Sequence, residues 1–240
     1  VLVEDRQNAE ACKKRYGFDS MYEYCLLAQP GKEPTVALIG DSHGYHVVAG
    51  LTKYYSGRGE NLIYLGTRHP YWNLPAEGEP YQQATQQMLE LALSTPSIRT
   101  VVFSTHVRLN TSSPYGVALV AAARETLARF TAAGKHVIFM DDVPILSFDP
   151  RACIKRDGVE AQTPEHFAVV DALMKDFPMV ERFTPTPYLC DAKLCHVMID
   201  GQLLYRDKDH LSYEGDLYIG KKFAEWQASK AARQARNTLQ

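Results

Sequence analysis

No stretch of this chain is apolar for long enough to cross a bilayer. Its longest apolar runs, 35–40 and 116–123, fall well short of the roughly 20 residues that a spanning helix needs. Charge of one sign is not in excess either: 26 Lys and Arg stand against 28 Asp and Glu, a net charge of -2. Without a basic block, nucleic acid and anionic membrane surfaces are excluded as expected partners. C-x-x-C pairs are absent, which removes the usual structural zinc site. A charged n-region followed by an apolar stretch and a cleavage site is missing as well, and the chain opens on Val-Leu-Val-Glu rather than on Met. The expectation is a soluble piece of a longer polypeptide. Internal repeats and low-complexity linkers are not found.

What is present fits one catalytic-sized unit, since 240 residues can bury a full core. Residues 1–34 are polar and tyrosine-rich and end in Pro30-Gly31-Lys32-Glu33-Pro34, a composition of turns and short helices rather than of a core strand. They are expected to form an N-terminal extension, with the domain proper over 35–240. From Thr35 onward short apolar runs alternate with helical stretches, the pattern of βα repeats on a parallel sheet. Strands are predicted at 35–40, 61–66, 99–104, 135–140 and 180–183. Several are Val/Ile-rich without alternation, as expected when helices cover both faces. Helices are predicted near 45–56, 81–94, 117–132 and 164–176, the last opened by Thr163 as N-cap and Pro164 at the first helical position. Asp200-Gly201 between two apolar runs signals a hairpin, and a closing helix runs over 213–232. The five cysteines are Cys12, Cys25, Cys153, Cys190 and Cys195. Cys12 with Cys25, and Cys190 with Cys195, are close enough to close small disulfide loops, which would place the domain in an oxidising compartment. Cys153 is left over as a free thiol. The competing reading is that all five are reduced and packed as small hydrophobes.

Gly40-Asp41-Ser42-His43-Gly44 follows the first core strand and precedes a helix, so Ser42 stands beyond the carboxyl end of a parallel strand, where such sheets present residues to ligand. A serine hydroxyl is a weak nucleophile until an imidazole takes its proton, and the imidazole needs a carboxylate to fix its tautomer. Near the other end of the chain, Asp207-Lys208-Asp209-His210 supplies both. An Asp three residues before a His reaches the imidazole Nδ1 if the backbone makes one turn, which makes Asp207 the partner. Asp209 is expected to point elsewhere as a loop or cap residue, although an exchange of roles with Asp207 stays open. The Gly-x-Ser-x-Gly pattern also matches the α/β-hydrolase nucleophile elbow. That fold, however, places several strands before its serine and a long stretch between Asp and His.

Gly40-Asp41-Ser42-His43 resembles the first block of SGNH (GDSL-like) hydrolases, and Asp207-x-x-His210-Leu-Ser-x-x-Gly215 resembles their last. Together with the cysteine-flanked stretch before it, the second block resembles the SGNH domain fused to the C-terminus of acyltransferase-3 membrane proteins, O-antigen acetyltransferases among them. The resemblance implies a three-layer α/β/α, flavodoxin-like fold with a central parallel sheet of about five strands. It implies a Ser42-His210-Asp207 triad and an oxyanion hole built from the Ser42 and Gly66 backbone N–H groups. The third block departs from the family's Gly-x-Asn-Asp pattern and leaves the third donor to His106, Arg108, Asn110 or none. The implied activity is O-acyl, chiefly acetyl, transfer to a cell-surface polysaccharide such as lipopolysaccharide O-antigen. No cofactor is expected in this domain, and acetyl-CoA is the ultimate donor through an N-terminal acyltransferase-3 membrane domain to which 1–34 would be the tether. The domain would then be periplasmic and held at the inner membrane.

Two rivals keep the same residues: a carbohydrate O-acetyl esterase that uses water, and a non-catalytic glycan-binding domain. Tyr45, Tyr71 and Trp72 either stack on sugar rings or pack under a loop, and Arg108 is a further substrate-binding candidate. His43 and His46, three apart, could face a metal, but no third ligand is apparent and no metal is expected. Asp141 and Asp142 end the fourth strand and either line the cleft or serve as loop and cap residues.

Overall fold

The structure, a computed structural model, describes residues 3–19, 21, 24–74, 79–106, 108–152, 160–161 and 164–238. Helix α1 (Val3–Tyr16) leads into β1 (Tyr24–Leu27), followed by β2 (Val36–Gly40), α2 (Ser42–Tyr45), α3 (Val48–Ser56), β3 (Leu62–Gly66) and α4 (Glu79–Ser94). Next come β4 (Thr100–Ser104), α5 (Pro114–Ala132), β5 (His136–Met140) and the short pair β6 (Ile145–Leu146) and β7 (Glu160–Ala161). The chain continues through α6 (Pro164–Asp176), β8 (Glu181–Phe183), α7 (Thr186–Leu189), the hairpin β9 (Met198–Ile199) and β10 (Gln202–Leu203), and α8 (Tyr213–Thr238).

Six strands form one sheet in the order β1-β3-β2-β4-β5-β8. The last five run parallel, while β1 pairs antiparallel with β3 at the edge. Alternate residues of each buried strand supply two separate cores. Ala37, Ile39, Ile63, Leu65, Val101, Phe103, Val137 and Phe139 face Met88 and Leu89 of α4, Leu119 and Leu127 of α5 and Leu173 of α6. Their neighbours Val36, Leu38, Leu62, Tyr64, Val102 and Ile138 face Leu51 and Tyr55 of α3 and Ile219 and Phe223 of α8. Each such side chain contributes about 1.5–3 kcal/mol through burial, which is why the strands read as unbroken apolar runs. The three-layer prediction holds, with six strands in place of about five.

The sixth strand corrects the reading of 1–34 as lacking a core strand. Cys25, Leu26 and Leu27 are buried, and Tyr24 pairs with Gly66, the last residue of β3. A Cys12–Cys25 disulfide ties α1 to this edge, and the second predicted pair, Cys190–Cys195, also forms. Cys153 and the proposed cap Thr163 lie outside the described residues. Asp200 and Gly201 have φ of 52° and 78°, the two positive values that a two-residue type I′ hairpin turn requires.

Helices α3 and α8 meet without intervening side chains. A Cβ on Gly50 would lie 2.8 Å from Gly220 Cα and 2.4 Å from the Asp216 carbonyl oxygen. Val47, the N-cap of α3, offers no side-chain acceptor; the carboxylate of Asp216 on α8 accepts the Ala49 and Gly50 N–H bonds instead, each at 2.8 Å.

Candidate active site

The chain passes from β2 to β3 on one side and returns to β4 on the other, so the carboxyl end of β2 is the switch point where doubly wound sheets bind ligand. Ser42 stands there, exposed, as the first residue of α2. Asp41 caps that turn by accepting the His43 N–H at 2.9 Å. The flanking glycines are needed for space rather than for a left-handed backbone. A Cβ would sit 2.0 Å from the Ser104 carbonyl oxygen at Gly40 and 2.9 Å from it at Gly44. Beside Gly40 the ends of β3 and β4 are in register, Gly40 opposite Gly66 and Ser104, and Tyr64 donates its hydroxyl to the Asp41 carbonyl at 2.6 Å.

The imidazole of His210 reaches Ser42 from 168 residues away, with Nε2 3.0 Å from Oγ. Its Nδ1 lies 3.0 and 3.2 Å from the two oxygens of Asp207. The one-turn expectation is met: Asp207 Oδ1 also accepts the backbone N–H groups of Asp209 and His210, at 3.1 and 2.8 Å. Burial would raise the Asp207 carboxyl, but these backbone and side-chain hydrogen bonds outweigh it and hold the group well below the usual carboxylate range. Asp209 does not point away, contrary to expectation. Its Oδ1 is also 3.0 Å from His210 Nδ1, so two carboxylates flank one nitrogen.

Beside Ser42 and His210 lies a cluster the sequence did not assemble. Asp142, at the end of β5 and fully buried, accepts from Val143 N–H at 2.8 Å and lies 2.9 Å from His43 Nδ1 and 3.2 Å from His106 Nδ1. Burial alone would raise its pKa; the bonds from His106 and His43 overcome that and keep it ionised. Burial likewise opposes protonation of His43, yet the bond to Asp142 and the nearby carboxylates raise its pKa. The His43 ring is 4.2 Å from that of His106 and 4.5 Å from that of His210. His46 differs: burial lowers it to about 3, and its Nδ1 accepts the Leu211 N–H at 3.3 Å, bracing the residue after His210. His43 thus acquires two groups of metal-ligand type, one with His106 and Asp142 and one with Asp209 and His210, neither including His46. In the first, His43 and His106 already pair with Asp142, and in the second Asp209 already pairs with His210.

Several predicted residues have other duties. Tyr71 and Trp72, 4% and 3% exposed, belong to the core and are corrected as sugar-stacking candidates. Tyr71 bonds Thr105, and the Trp72 ring packs on Phe130 beneath Arg129. Asn110 is a turn residue: its amide oxygen accepts from Ser112 and Ser113, and one of its two amide N–H groups is spent on the Arg108 carbonyl. Arg108 donates to the Arg68 carbonyl at 3.1 Å and lies 3.5 Å from Asp41. Asp141 is a structural pin, bound twice by Arg182 at 2.9 Å and by Thr184 at 2.8 Å. Tyr45 is half-buried beside Tyr24 and Tyr64 and lines a cleft of about 1020 Å³ with His46, Arg206, Leu211 and Tyr213, which opens next to the Asp207–His210 loop.

No described helix is long and apolar enough to cross a membrane. Among solved structures, the fold is similar to the periplasmic domain of the lipopolysaccharide acetyltransferase of Salmonella ser. Paratyphi A, with a TM-score of 0.61 and 15% identity over 82% of this chain and 84% of that one. It is also similar to a putative platelet activating factor from Streptococcus pneumonia (TM-score 0.52, 16% identity, 92% and 94% covered) and to a GDSL-like lipase from Bacteroides thetaiotaomicron (0.51, 15%, 92% and 98%). At such identities the likeness establishes the fold. No curated protein sequence matches the chain. The family model described as the SGNH domain fused to AT3 domains matches residues 9–225, nearly the whole chain including α1 and β1, and the protein therefore belongs to that family.

Proposed function

We propose that this domain transfers an O-acyl group, chiefly acetyl, to a hydroxyl of a cell-surface polysaccharide such as lipopolysaccharide O-antigen. The observation that carries the reading is the 3.0 Å approach of His210 Nε2 to Ser42 Oγ, with Asp207 on the far side of the ring. In the first half-reaction Ser42 Oγ attacks the acyl carbonyl while its proton passes to His210 Nε2; the bond to the donor breaks and the leaving group takes that proton. In the second, an acceptor hydroxyl gives its proton to His210, its oxygen bonds the acyl carbon, and Ser42 Oγ leaves with the proton. Backbone N–H groups of Ser42 and Gly66 would hold the oxyanion.

Fusion to AT3 domains in the family supports a membrane domain as partner, supplying acyl groups that originate in acetyl-CoA. The two disulfides support a periplasmic site. Residues 1–34 would tether the domain, Tyr45 with the neighbouring cleft would receive the glycan, and no cofactor is needed here. Intact-mass measurement after exposure to p-nitrophenyl acetate tests the reading: the wild type gains one acetyl group and Ser42→Ala gains none. An unlabelled wild type of intact fold refutes it.

A further inference from the structure

Two histidines of this site are wired alike. His210 turns Nδ1 to a carboxylate and Nε2 to Ser42; His106 turns Nδ1 to Asp142, at the neighbouring strand end. Asp142 has no exposed side-chain surface, whereas the His106 side chain is 21% exposed. The edge of the His106 ring opposite Asp142, which carries Nε2, is therefore the one that reaches solvent. His106 is also fixed at its backbone, where its N–H lies 3.2 Å from both oxygens of Asp41, the residue before the nucleophile.

An ionised carboxylate only accepts hydrogen bonds, so Nδ1 must be the donor and the uncharged ring presents a lone pair at Nε2. This is the reverse of the Asn amide donor found in the third block of many relatives: it suits a hydroxyl proton better than an oxyanion. The acceptor's reacting hydroxyl has one proton, which goes to His210, so His106 must hold a different group. His43 packs against both imidazoles, its ring centroid 4.2 Å from that of His106 and 4.5 Å from that of His210, which puts the two at one site. The hydroxyl on the next sugar carbon is the group nearest to the reacting one and is therefore the partner within reach of a second imidazole.

The geometry points to His106 as a specificity contact for the acceptor, its Nε2 accepting a hydrogen bond from the hydroxyl next to the one that is acylated, so that the site selects vicinal diols over water and simple alcohols. This rests on the acyl-transfer reading above. The test offers the purified domain p-nitrophenyl acetate with equal concentrations of cis-1,2-cyclohexanediol and cyclohexanol and measures the ratio of the two acetate esters by mass spectrometry. The ratio is internal to each sample and does not depend on how much protein is folded. The wild type favours the diol roughly tenfold, the size of one hydrogen bond. His106→Ala brings the ratio down to about two, the statistical value for an acceptor with two hydroxyls against one, and His106→Gln, whose amide oxygen can accept from the same hydroxyl, restores part of it. An unchanged ratio in His106→Ala overturns the proposal, including the case in which both esters form more slowly by the same factor, which would mark an oxyanion role. A wild type that is acetylated on Ser42 but shows no diol preference beyond the statistical value also overturns it and leaves the acyl-transfer reading standing. A wild type that takes no acetyl group removes both.

Discussion

Asp216 offers a test of how the two ends of the active site are held together. Its carboxyl is 6% exposed, and burial raises it from 3.8 to about 7 against the opposing effect of the two N–H bonds from Gly50 and Ala49. Between about pH 4 and 7 the folded chain therefore keeps a proton that the unfolded chain has released. Stability then falls as pH rises through that window, by about 1.4 kcal/mol per pH unit, and the contribution is gone above pH 7. Asp216→Asn is uncharged throughout and lacks this slope, at the cost of about 1 kcal/mol for the N–H that its amide group cannot satisfy. From pH 4.5 to 7.5 the variant should gain about 3 kcal/mol relative to the wild type. For a domain of this size that corresponds to a relative shift in Tm of about 6–12 °C, read by thermal unfolding with the disulfides intact. A Tm difference that stays constant across this range would mean that the carboxyl ionises alike in both states, and would refute the burial argument.

Two further outcomes concern the catalytic end of the sheet. Asp207→Asn should lower kcat for ester cleavage by roughly 10³ to 10⁴, because the tautomer of His210 is no longer fixed. Asp209→Asn should cost less than about tenfold, since Asp209 lacks the backbone bonds that anchor Asp207; equal losses would make the two carboxylates interchangeable. Gly40→Ala should destabilise by at least about 1–3 kcal/mol in urea unfolding and depress activity, because the added carbon meets the Ser104 carbonyl at 2.0 Å. A fully stable and active alanine variant would show that the strand ends separate freely.

Four sheet strands were legible because burial on both faces leaves a plain signal, an apolar run such as Val36–Ile39 that needs no partner to be recognised, whereas β8, Glu181-Arg182-Phe183, is half-buried and was marked chiefly by Val180 and Phe183. Strand β1 was not, because Cys25-Leu26-Leu27 is short, sits among tyrosines and turns, and gains its meaning only from pairing with β3. Within the site, Ser42, Asp207 and His210 could be read from local spacing. The Asp142 cluster could not: its bonds join residues 99 and 36 positions apart, and each partner alone resembles a strand-end or cap residue. Tyr71 and Trp72 show the opposite error, since an aromatic pair in a loop has the same sequence signature whether it faces a sugar or the Phe130 side of the core.

The junction of α3 with α8 has a consequence for how this architecture tolerates change. Ser42 and His210 are aligned by a direct clasp: one carboxylate and two bare glycine surfaces fasten the helix just after Ser42 to the helix just after His210. The described segments between them, such as 108–113 and 147–152, lie outside that clasp. Loops there are free to lengthen, shorten or acquire new contacts while Ser42 and His210 keep their alignment, so recognition can diversify independently of that pairing.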